Sequence, residues 1–65
     1  MTPAQQHDER FTVWSAARAE ANLAYDAWCA ERTRDAYAVY RASEDQADAA
    51  EADLAALTEV LASVA

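Results

Sequence analysis

The chain has 65 residues, 19 of them alanine, with no glycine and one proline, Pro3. Glycine and proline are the usual punctuation of sheets and tight turns, so this composition excludes an all-β or α/β fold. Twelve acidic residues against five arginines give a net charge of −7, a field that repels phosphate backbones and anionic membranes, so neither nucleic acid nor a membrane is expected as a partner.

The first helix start is well marked. Thr2 is placed to be the N-cap, Pro3 takes the first helical position where a missing N–H costs nothing, and Gln5 completes a T-x-x-Q capping box. Asp8 and Glu9 follow near the positive end of the helix dipole. From there Phe11, Trp14, Arg18, Ala21, Tyr25 and Trp28 recur at alternating steps of three and four, a heptad seam with Arg18 as its one polar member.

The second half repeats the rhythm. Tyr40, Ala47, Leu54 and Leu61 form one row of sevens, and Ala36, Ser43, Ala50, Leu57 and Val64 form the row beside it. Three placements of a turn between the seams compete. One puts it at Glu31-Arg32-Thr33-Arg34, with Thr33 capping the second helix and Asp35 in its first turn. Another puts it at Ser43, where S-E-D-Q reads as a capping box, and the third has no turn at all. Two stretches of similar length, each with its own seam, favour the first, although an αL cap there must carry a side chain.

The expected fold is therefore all-α: an antiparallel two-helix hairpin over residues 1–65, turning near residues 31–34 and assembling into a dimeric or higher helical bundle. Facing residues then have numbers summing to about 66, which sets Trp28 near Tyr37, Tyr25 near Tyr40 and Phe11 near Leu54. Leu57, Leu61 and Val64 face only the polar residues 2–9 and lack an intramolecular partner. A chain this short buries only ~60% of its unfolded surface, and Cys29, being alone, offers no intramolecular disulfide. Both facts point to a homo-oligomer, a dimer or tetramer. Its expected interface is Phe11, Trp14, Arg18, Trp28, Leu54, Leu57, Leu61 and Val64.

Chemistry-bearing residues are few. His7 has no E-x-x-H around it, so the carboxylate-bridged metal signature of ferritin-like bundles is absent. Glu44, Asp48 and Glu51 stand at i, i+4, i+7 and share a face expected to lie away from the seam. Without a neutral ligand beside them they read as a solvated acidic face, and no metal or cofactor is expected. The same face is the candidate contact for a basic protein partner, in a second reading that makes residues 44–53 the working surface of an acidic regulator or inhibitor. Cys29 reads as a small buried hydrophobe beside the seam. Arg18 either snorkels past Trp14 to water or pairs with an acid across an interface. Nothing supplies a nucleophile with its base, so no enzyme is expected.

No apolar run reaches the ~20 residues of a membrane span, the N-terminal residues lack signal-peptide order, and one unpaired cysteine fits a reducing cytoplasm. Abundant Ala and Arg with no Lys and no Ile suits a GC-rich bacterial source. The stretch A-Y-D-A-W-C-A-E-R-T-R-D-A-Y-A-V-Y-R-A-S-E-D-Q-A-D-A-A-E-A, residues 24–52, resembles small uncharacterised α-helical hairpin proteins of actinobacteria. That resemblance implies an aromatic-rich helix, a short turn and a second helix opening on Y-x-x-Y-R-A. It implies no activity and no site residue. The function expected is a structural or protein-interaction module that self-associates through its apolar seam.

Overall fold

The computed structural model describes residues 2–64, so residues 1 and 65 of the expected unit lie outside the described residues. Two helices account for nearly all of it: α1, Pro3–Glu31, and α2, Arg34–Ser63. The chain is a helical hairpin 48 Å long and one helix pair thick, at 15 × 14 Å between Cα extremes. Ser43 lies inside α2, which removes the later turn, and the break between Glu31 and Arg34 removes the unbroken helix.

Each helix start is satisfied as its residues predict. The Thr2 hydroxyl accepts from the Gln5 backbone N–H at 3.2 Å, and the Gln5 side chain accepts from the Thr2 N–H at 2.8 Å. At the second start the Thr33 hydroxyl accepts from the Ala36 N–H at 3.1 Å, with Asp35 in the first turn. Between them Arg32 takes the left-handed conformation, φ 54°, and its N–H closes on the Trp28 carbonyl at 2.9 Å. This is an αL cap of the kind glycine usually supplies. A turn of only two residues, Arg32 and Thr33, thus reverses the chain.

The core is built from small residues. Ala21 and Ala47 are wholly inaccessible, and Ala24, Ala36 and Leu57 are the other buried apolar residues described. Alanine at these positions lets the helix axes approach closely. Around that line Trp14, Trp28, Tyr40, Leu54 and Leu61 are half-buried. Each helix has one neighbour only, so each presents a single covered stripe.

Candidate interaction surface

Register follows the predicted facing rule. Trp28 meets Tyr37 with ring centroids 5.0 Å apart, and Tyr25 meets Tyr40 at 5.4 Å, both edge-on. Further along, Arg18 pairs with Glu44 at 2.6 Å and Arg10 with Asp53 at 3.4 Å. The paired numbers drift from a sum of 65 at the turn to 62–63 in the body of the hairpin. The closed end is aromatic, as expected. The Arg32 guanidinium adds to it, lying 5.1 Å from the Trp28 ring centroid, a cation–π contact of ~0.5–1 kcal/mol.

Of the residues expected to face a partner copy, most are occupied inside the hairpin. Trp14, Arg18, Trp28, Leu54 and Leu61 are half-buried and Leu57 is buried, whereas Phe11 and Val64 stay exposed. The expectation that Leu57, Leu61 and Val64 lack intramolecular cover is therefore corrected for Leu57 and, in part, for half-buried Leu61, and Val64 alone stays exposed. The reason is directional: a helical side chain leans toward the N-terminus of its own helix, which carries Leu57 away from the open end and toward the middle of the hairpin.

Two other residues depart from the sequence reading. Cys29 is exposed rather than buried, because one residue past Trp28 turns the chain by about 100° off the seam. Glu44 does not belong to a wholly solvated acidic face. Its carboxylate accepts from Arg18 Nη2 between the helices and is half-buried, while Asp48 and Glu51 are exposed. Arg18 consequently pairs with an acid rather than snorkelling to water, and the partner is in its own chain. His7, in the polar opening of α1, is half-buried.

Among the described residues no three His, Cys, Asp or Glu side chains gather as a metal ion would need. The concavities between the helices are open grooves, such as the one lined by Glu20, Leu23, Ala24, Val39 and Ser43. Tyr25 is electrostatically perturbed: hydrogen bonding with the Cys29 side chain, one turn on, pushes its phenol above the ordinary value, and the nearby Arg32 charge opposes this. No described helix is long and apolar enough to cross a membrane.

What the hairpin does offer is uncovered apolar surface. Phe11, Val13, Leu23, Tyr25, Tyr37, Val39, Val60 and Val64 are all exposed, more than an isolated small domain normally leaves in water. Sequence periodicity marked Phe11, Tyr25 and Val64 but missed Val13, Leu23, Val39 and Val60. These lie beside the heptad rows, and only the position of the second helix reveals that nothing covers them. No protein-family model, curated protein or solved structure matches the chain.

Proposed function

We propose that this chain is a self-associating helical-hairpin module with a structural or protein-interaction role, and not an enzyme. One observation carries the reading: among the described residues the buried apolar side chains are alanines and Leu57, while eight large aliphatic and aromatic side chains, from Phe11 to Val64, stay exposed. Burying a Val, Leu or Phe side chain contributes roughly 1.5–3 kcal/mol, and a single hairpin leaves much of that unused. A helical bundle of two or more copies uses it. The single cysteine is consistent with a reducing cytoplasm, where we place the protein.

Sedimentation equilibrium over a dilution series, at low and high salt, tests this. We expect a dimer or tetramer that dissociates on dilution and holds or tightens as salt rises, because copies of charge −7 repel one another and ions screen that repulsion. A chain that stays monomeric and helical at every concentration would overturn self-association. A monomer that captures a basic protein and releases it in salt would favour the acidic-regulator reading, with Asp48 and Glu51 as its remaining free contacts.

A further inference from the structure

Around the contact line the hairpin has two unlike flanks. Successive helical residues step by about 100°, so Phe11, Arg18, Tyr25 and Cys29 fall to one side of Ala21, and Val13, Glu20 and Leu23 to the other. On α2, Tyr37, Glu44 and Asp48 share the first side, as the Arg18–Glu44 pair requires. Val39, Gln46 and Val60 share the second, as the groove joining Leu23 to Val39 requires.

The first flank is already partly satisfied. Its rings contact Trp14, Trp28 and Tyr40 with centroids 5.0–6.3 Å apart, and their exposure is 46–50%. The second flank is aliphatic and more open: Val13, Leu23, Val39 and Val60 are 56–69% exposed. Its charges in the same stretch are Glu9, Glu20 and Asp53, and Asp53 is already paired with Arg10. Gln46, between them, is exposed and neutral, and its amide both donates and accepts, so a facing amide can satisfy it. Exposed alanines at positions 16 and 42 separate the larger side chains, so a facing helix can come close.

Area indicates what covers it. The chain exposes 4701 Å², whereas a compact monomer of 7.1 kDa exposes about 4,100 Å². The excess is about 600 Å² per chain, and two copies together have about 1,200 Å² to hide, the lower bound of a specific interface. We propose that the Val13–Leu23–Val39–Val60 flank docks a second copy of this chain, flank on flank about a two-fold axis. The result is a four-helix bundle with the Arg18–Glu44 pair and the tyrosines on its outside. This rests on the self-association reading and specifies its surface.

Cysteine cross-linking tests the surface directly. Positions 46 and 48 stand at nearly the same height, close to the middle of α2, and on opposite flanks. With the two-fold across the helices, position 46 near the middle meets its own copy, and with the two-fold along them it stands at the same height as its copy on the diagonally opposite helix. In a Cys29→Ser background, a short bis-maleimide should convert Gln46→Cys to covalent dimer and leave Asp48→Cys largely uncoupled. In parallel, Leu23→Asp should raise the dimer dissociation constant ~100-fold or more, since a two-fold interface loses the residue twice, while Cys29→Asp leaves it unchanged. Leu23 is too exposed for its loss to unfold the hairpin, and circular dichroism at high concentration checks that. A dimer that couples through position 48 but not position 46, or that is indifferent to Leu23→Asp, overturns the flank while sparing self-association. A monomer at all concentrations overturns both.

Discussion

Arg18 Nη2 donates to Glu44 Oε1 at 2.6 Å, joining the two helices in the body of the hairpin through residues 26 apart in the chain. Both side chains are only partly accessible, at 31% and 24%. The pair fixes register in a core otherwise made of alanine and aliphatic or aromatic rims, where a slip along the axis would cost little in packing. It sits between the exposed pairs that contribute ~0–1 kcal/mol and the buried ones whose breakage costs ~3–5 kcal/mol. Arg18→Ala and Glu44→Ala should each lower unfolding stability by ~1–2 kcal/mol, and the double variant should show a coupling of ~1 kcal/mol in denaturant titrations. Fully additive losses would mean that the contact does not contribute.

The wholly inaccessible alanines set how near the helices lie. Ala47→Leu adds three carbons where no space exists, so either the hairpin spreads or the side chain strains. A loss of ~1–3 kcal/mol is expected in thermal melts. The same substitution at exposed Ala38 should be neutral.

At the turn, strain and attraction meet in one residue. Arg32 holds a left-handed backbone while its guanidinium covers Trp28. Arg32→Gly and Arg32→Ala both remove the cation–π contact, but only glycine relieves the αL backbone. Glycine should therefore be the more stable of the two by ~1 kcal/mol, read as the difference in denaturation midpoints. Equal stability would show that the backbone strain is relieved some other way.

Thr33 supplies the only side-chain cap described at the start of α2. Thr33→Ala should cost ~1 kcal/mol, and Thr33→Ser should retain most of the stability, because its hydroxyl can still accept from the Ala36 N–H. Amide hydrogen exchange in the first turn of α2 should rise in the alanine variant and not in the serine one.

Tyr25 gives a pH-dependent signature. Hydrogen bonding with Cys29 raises its phenol above the ordinary 10.0, so folding favours the neutral ring. That contribution is complete below the ordinary value and is lost as pH rises through the higher folded one. Carbon NMR of ring-labelled tyrosine should show Tyr25 titrating late, and Cys29→Ala should bring it back toward the ordinary value. No change on that substitution would reject Cys29 as the cause.

Local chemistry was readable in advance because it depends on neighbours in the chain. The capping box at Thr2 and Gln5, the Thr33 cap and the recurrence of Trp14, Ala21 and Trp28 each involve residues within a turn or two. From these the helical character and the first helix start follow. The turn at residues 31–34, with the aromatic pairs it brings together, is the favoured one of three placements that the structure decides between. Alanine content and the lack of glycine excluded a sheet for the same local reason.

Other features waited on the second helix being in place. Arg18 found Glu44 rather than Asp48, which a facing sum of 66 would set opposite it, because the register drifts from 65 to 62 along the hairpin. Leu57 gained cover because its side chain leans along the axis toward the middle of the hairpin. Cys29 turned outward because burial depends on the angle between a side chain and the opposing axis, which heptad spacing resolves only to about one residue. The uncovered Val13, Leu23, Val39 and Val60 are the same effect seen from outside. Periodicity says that a helix has an apolar side, but a single hairpin covers only one stripe of it, and which stripe is a matter of packing.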